Sequence, residues 1–200
     1  GRRIGVNETW EPSNGYDPYR KVVSEAAYIG ANDTELWFAA LVRQQANNSD
    51  YKLFLHSGGI AWNQGYPMIN IGLSGSTWQL EVVDANNVTT TASTGISRTL
   101  NQTYLMVLRI TFGAANDTVR LYVNPASIGG AAPVTADATL TVDDVYFRGL
   151  KFYPGSGPNN GYLDEVRIGE SYASVTPVIP EPAALLGVLA LAGLALRRGC

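Results

Sequence analysis

From residue 36 to residue 169 the chain repeats one device: short runs of alternating apolar and polar residues, separated by clusters of Asn, Asp, Gly and Ser. Alternation with period two places successive side chains on opposite faces of a pleated strand. A helix would need apolar residues three and four apart, and no amphipathic helix interrupts this region. Runs at 36–43, 51–56, 66–73, 77–83, 103–112, 118–123, 145–153 and 162–168 are therefore predicted as strands. Asn47-Asn48-Ser49-Asp50, Asp84-Ala85-Asn86-Asn87 and Gly113-Ala114-Ala115-Asn116-Asp117 are the linking turns. In the run 118–123, Val119, Leu121 and Val123 point one way and Thr118, Arg120 and Tyr122 the other. Together with Leu105 and Val107 they are the expected buried positions of a hairpin. So many strands without helices must cover their apolar faces with a second sheet, which makes an all-β, antiparallel two-sheet sandwich the expected fold.

Length sets the domain count. Two hundred residues hold one β-rich domain, 1–172, and a tail. Gly1-Arg2-Arg3 opens the chain without the charged-then-apolar pattern of a signal peptide, so a precursor region carrying the export signal is expected upstream. Charge is sparse: net charge is −3, and only Lys21, Lys52 and Lys151 are lysines, so no basic patch invites nucleic acid. The single cysteine, Cys200, excludes an internal disulfide and a cysteine-based zinc site, and a lone histidine, His56, excludes a histidine cluster.

Beyond Ser171 the composition changes twice. Residues 173–182 form a Pro-containing stretch in which missing backbone donors disfavour strand and helix, so an extended linker is predicted. Residues 183–196 are uncharged and apolar all round, which suits a lipid environment better than a helix with one face in water. As a helix they span roughly 21 Å, short of the ~30 Å hydrocarbon core, so the expected transmembrane helix relies on snorkelling by Arg197 and Arg198 and on local thinning. That arginine pair, in the basic end 197–200, stays cytoplasmic and puts the β domain outside. A glycolipid-anchor signal also joins a spacer to an apolar end, but no small-residue attachment site is evident before residue 183, and the arginines argue against it.

Pro180-Glu181-Pro182, a short apolar helix and terminal arginines, in that order, resemble the PEP-CTERM sorting signal of exported bacterial proteins. The resemblance implies processing by an exosortase-type membrane enzyme and delivery to the cell surface or extracellular matrix. Two arginines followed by Gly199-Cys200 depart from the longer basic end usual in that family. In the domain, the hairpin 104–125 and the run 161–169, Gly-Tyr-Leu-Asp-Glu-Val-Arg-Ile-Gly, resemble the central hairpin and closing strand of laminin-G-like, concanavalin A-like sandwiches. This implies a jelly-roll topology and permits carbohydrate binding. The same fold hosts lectins, glycosidases and structural modules, so it assigns no activity.

Candidate chemistry is thin. A glycosidase needs two placed carboxylates, yet adjacent Asp164 and Glu165 point to opposite faces of a regular strand, and Glu81 with Asp84 is a spacing without a mechanism. His56, followed by Ser57-Gly58-Gly59, lacks the nucleophile-elbow pattern and reads as a turn histidine. Catalytic residues are therefore expected to be none. The only cofactor with available donors is calcium, at Asn32-Asp33, Asn116-Asp117 or Asp143-Asp144, although none reproduces a calcium loop. Of the tryptophans, Trp37 lies in an apolar run and reads as core. Trp62, near Tyr66, is the candidate sugar-stacking pair. Six Asn-x-Ser/Thr triplets, at Asn7, Asn32, Asn47, Asn87, Asn101 and Asn116, fit an exported, Asn/Thr-rich composition. Two function classes follow: a non-catalytic surface or matrix module that binds extracellular polysaccharide, and a carbohydrate-active glycosidase or lyase.

Overall fold

The alternating runs form the strands that their periodicity predicts, and several segments with weaker patterns join them. The computed structural model describes residues 11–13, 17–21, 28–45, 47, 51–57, 66–153 and 161–177. In chain order the elements are β1 (Glu11–Ser13), β2 (Asp17–Lys21), β3 (Thr34–Gln44), β4 (Lys52–His56), β5 (Met68–Ser74), β6 (Thr77–Val83), β7 (Thr89–Ser97), β8 (Thr103–Phe112), β9 (Asp117–Val123), β10 (Ala138–Val142), β11 (Gly149–Tyr153), β12 (Gly161–Gly169) and α1 (Tyr172–Val175). β1, β2, β7 and β10 were not expected from the pattern. All pairings are antiparallel, in a seven-stranded sheet β1-β2-β11-β4-β5-β6-β7 and a five-stranded sheet β10-β9-β8-β3-β12.

The main core lies between the sheets. From the five-stranded sheet it takes Leu36, Phe38, Ala40 and Val42 of β3, Met106, Leu108 and Ile110 of β8, and Val119 and Leu121 of β9. Leu53, Leu55, Ile69, Ile71, Leu80 and Val82 face them from the seven-stranded sheet. One end is closed by rings in edge-to-face contact: Tyr51 with Trp78 at 5.8 Å and with Phe152 at 5.3 Å, and Trp78 with Tyr104 at 5.3 Å. Burial pushes the Tyr51 phenol well above its ordinary value. Its hydroxyl donates to the Tyr162 carbonyl at 3.1 Å, and a β-carbon on Gly161 would strike the ring at 2.5 Å, so only glycine lets β12 start there.

Val107 is buried, as expected for the hairpin, and Leu105 is half-buried, but neither packs in the cluster that takes the other arm. Val119, Leu121 and Val123 do enter the main core, but Leu105 and Val107 stand on the opposite face of β8, which is apolar on both sides. There Val107 joins Trp37, Ala39, Tyr122, Tyr172 and Val175 in a second cluster, with Leu105 packed against it. Trp37 is buried as expected, outside the sandwich rather than within it. Ser171 caps α1 by accepting from the Ser174 N–H at 3.3 Å, and a β-carbon on Gly169 would meet the Ser174 hydroxyl at 2.1 Å, so glycine allows α1 to fold back onto the sheet.

The last described residue is 177, so the expected linker motif Pro180-Glu181-Pro182, the apolar segment 183–196 and Arg197-Arg198 lie outside the described residues. Among the described residues no helix is long and apolar enough to cross a membrane.

Candidate functional site

The outward side chains of the seven-stranded sheet are set by those that point in. Because Leu53, Leu55, Ile69, Ile71, Leu150 and Phe152 fill the core, their neighbours Lys52, Phe54, His56, Asn70, Gly72, Gly149 and Lys151 belong to the opposite face. Register aligns them in rows across four strands: Tyr153, Lys52, Gly72 and Gln79; then Lys151, Phe54, Asn70 and Glu81; then Gly149, His56, Met68 and Val83. Directly paired side chains on one face lie about 4.5–5.5 Å apart, so the middle row is a continuous strip.

This face is unusual for an outer face because its polar groups are buried. Asn70 is 2% exposed, Lys151 4% and His56 8%, whereas Lys52, Gln79 and Glu81 are half-buried. The Asn70 amide donates through Nδ2 to Glu81 Oε1 at 3.1 Å, while its Oδ1 is buried with no partner among the described residues. A carbonyl left so costs roughly 1–3 kcal/mol. Gly72 and Gly149 put no side chain on the same face, and the Asn70 amide lies over the space at Gly72, 3.3 Å from where a β-carbon would sit.

His56 corrects the turn reading: it ends β4, paired with Met68 and Gly149. Burial, and then the positive charges of Lys151 and Arg148, push its imidazole down to about 4, so it is neutral at physiological pH. The Arg148 N–H donates to the His56 carbonyl at 3.1 Å. Its guanidinium lies 5.3 Å from the ring centre of exposed Tyr28, which in turn meets Tyr146 edge-on at 5.0 Å. Across this rim, Ser57 donates from both N and Oγ to the Pro67 carbonyl, at 3.1 and 3.0 Å, fixing the start of β5. Tyr66, immediately before, is 51% exposed. Its expected companion Trp62 lies outside the described residues.

The calcium candidates converge without forming a metal centre. Asn32-Asp33, Asn116-Asp117 and Asp143-Asp144 all fall at one end of the sandwich, where Thr34 pairs with Phe112 and Ile29 bridges Phe147. Asp117 is fully buried and accepts from the N–H groups of Gly113 and Val145, at 2.9 and 2.7 Å, tying two loops together. Burial raises its carboxyl above the ordinary value, an effect that these two hydrogen bonds oppose. Asp143 accepts from the Asn86 amide at 2.7 Å. Among the described residues no three acidic, His or Cys side chains are grouped to hold a metal. Asp164 and Glu165 are both exposed at a bulge in β12, where Glu165 takes a φ of 49°, so the regular-strand geometry assumed for them does not hold there.

Sequence reasoning missed Asn70, Arg148 and the grouping of Lys52 with Lys151. The signal was local but subtle: Ile69-Asn70-Ile71 and Leu150-Lys151-Phe152 each set one polar residue between two core residues on an interior strand.

No protein-family model matches the sequence, and no curated protein does. Among solved structures, the chain is similar to an endo-β-1,4-glucuronan lyase from the fungus Trichoderma reesei (TM-score 0.50, 16% identity, covering 85% of this chain and 82% of the lyase). It is also similar to the carbohydrate-binding module CBM66 from Bacillus subtilis (TM-score 0.44, 14% identity, 82% and 92%) and to a pentraxin from Limulus polyphemus (0.46, 13%, 84% and 77%). At such identities the likeness concerns architecture alone, and the architecture it shares with this chain is the antiparallel two-sheet jelly-roll sandwich.

Proposed function

We propose that the chain is an exported surface or extracellular-matrix module that binds polysaccharide without cleaving it, on the outward face of its seven-stranded sheet. The observation that carries this is Asn70, 2% exposed in the outward row Lys151, Phe54, Asn70 and Glu81, with its carbonyl unpartnered among the described residues. An outer face needing only stability would bury apolar groups or leave polar ones in water. Glucuronan, by its name the substrate of the similar fungal lyase, is a polysaccharide, in keeping with a glycan role on this fold. Export rests on the tail: Pro180-Glu181-Pro182, the apolar segment and Arg197-Arg198 would hold the precursor in the membrane until an exosortase-type partner processes it. Retention of the full chain on a polysaccharide array, without release of sugar fragments, is the expected result. Turnover of one glycan, lost on changing a single side chain of the face, would overturn it.

A second reading, a polysaccharide lyase, is favoured by His56, whose neutral imidazole can accept a proton beside two cations. It stands second because a base near 4 is weak for proton abstraction at neutral pH. Appearance of unsaturated, ultraviolet-absorbing chain ends during incubation would bring it first.

A further inference from the structure

From residue 121 to residue 136, the end of β9 and most of the loop that follows it, the chain carries no charged side chain. That loop has two sides. Ala132 and Ala136 pack inward on the cluster of Trp37, Val107 and Tyr122, on the outer face of the five-stranded sheet. Val134 is fully exposed, the most of any large apolar side chain among the described residues, and Ile128 is half-exposed. The loop is also fastened where the chain leaves the domain: the Tyr172 hydroxyl donates to the Ser127 carbonyl, and the Thr176 hydroxyl accepts from the Gly129 N–H at 3.3 Å. Pro177, which follows, is exposed and is the last described residue.

The uncharged apolar stretch begins six residues beyond 177, at 183, a reach of at most about 20 Å in fully extended chain. A single exposed valine is ordinary on a protein surface, but two apolar side chains on an uncharged loop, held within that reach of a membrane-entering segment, suit the boundary between headgroups and acyl chains. Resting on the membrane-held precursor proposed above and deepening it, we propose that Ile128 and Val134 lie in the surface of the lipid bilayer while the tail holds the chain. The contact is apolar, because the loop has no Lys or Arg to seek anionic headgroups. Two side chains bind weakly alone, and the short tether offsets this by keeping the loop beside the membrane at an effective concentration of roughly millimolar. The five-stranded sheet and its lid then face the membrane. The outward face of the seven-stranded sheet, on the far side of the core, faces away from it and stays open to the medium. Removal of the tail ends the tether and releases the loop.

The test uses the full chain with Cys200→Ser, reconstituted into neutral phosphatidylcholine vesicles and carrying one polarity-sensitive fluorophore, at Val134→Cys or at Thr91→Cys. Thr91 is exposed and pairs with Glu81 on the outward face of the seven-stranded sheet. On vesicles the label at 134 should shift to the blue and be quenched several-fold by lipids brominated high in their acyl chains, at low and high salt alike, and the label at 91 should do neither. Ile128→Asp should return the label at 134 toward its emission in water while the chain still floats with the vesicles; should that variant fail to fold, the two labels alone decide. A chain that floats with the label at 134 in water would overturn the loop contact and leave the tail anchor standing. A chain that does not float would overturn both. Equal shifts at 134 and 91 would overturn the orientation. Shielding at 134 that grows with protein density at fixed lipid would mean that a second copy covers the loop, and would overturn the lipid contact.

Discussion

The two outer faces of the sandwich are covered in opposite ways. On the five-stranded sheet Trp37, Val107 and Tyr122 are apolar and are sealed by the chain itself, through α1 and the segment between β9 and β10. Trp37 stacks on Tyr122 at 6.0 Å and meets Tyr172 edge-on at 5.3 Å, while the Tyr172 hydroxyl donates to the Ser127 carbonyl. Thr176 fastens the same lid, donating to the Tyr172 carbonyl at 2.9 Å and accepting from the Gly129 N–H at 3.3 Å. On the seven-stranded sheet the outward side chains include polar groups, Lys151, His56 and Asn70 buried and Glu81 half-buried, and taking these out of water costs desolvation. One face therefore adds stability, and the other spends some of it.

The largest expected effect breaks the stabilising face. Trp37→Ala removes the ring on which Tyr122 and Tyr172 pack and should cost about 3–5 kcal/mol, read as a lower midpoint in urea unfolding. Glycan binding at temperatures where the variant is folded should not change. A loss below about 1 kcal/mol would mean that α1 and its lid contribute little.

The next effect reads the costly face through His56. Its imidazole is held at about 4 in the folded protein against 6.5 when unfolded, so below pH 6.5 the unfolded chain gains a proton that the folded one refuses. The associated stability is complete above pH 6.5 and is lost as pH falls to about 4. Some 2.5 pH units at 1.36 kcal/mol each give about 3 kcal/mol. Urea titrations at pH 7 and pH 4 should show this loss in the natural protein and not in His56→Gln. Equal losses in both would place a charged, solvated histidine at this position.

Alternation revealed most strands but not what their faces do. β7 escaped because, of its inward positions Thr90, Ala92, Thr94 and Ile96, only the last is a large apolar side chain, as suits a half-buried edge strand with little apolar contrast. β10 is five residues of Ala138-Thr139-Leu140-Thr141-Val142, a clean alternation too short to stand out. Leu105 and Val107 pack outside the sandwich because both faces of β8 are apolar, and periodicity distinguishes faces without saying which is inside. The candidate site was harder still. Lys151, Phe54, Asn70 and Glu81 come from four strands whose sequence order differs from their order in the sheet, so only register assembles them. Tyr66, which follows the Gly- and Asn-containing run 63–65 in the sequence, is exposed.

The smallest effect sharpens the comparison by asking what charge does on the apolar side. Arg109 lies 5.5 Å from the centre of the Trp37 ring and donates through Nε to Glu35 Oε2 at 2.8 Å, while the Trp37 indole donates to Glu35 Oε1 at 2.7 Å. Both charged side chains keep about a third of their surface in water, 36% for Arg109 and 33% for Glu35, so solvent screens the pair and its net worth is well under 1 kcal/mol. Glu35→Gln keeps an acceptor for the indole and removes only the charge, so it should lower stability by a few tenths of a kcal/mol, less at high salt. Arg109→Ala should cost more than Glu35→Gln, because it also uncovers the Trp37 ring. A loss of 2 kcal/mol or more in Glu35→Gln would show that charge holds this face as firmly as packing does, and the contrast between the two outer faces would fail.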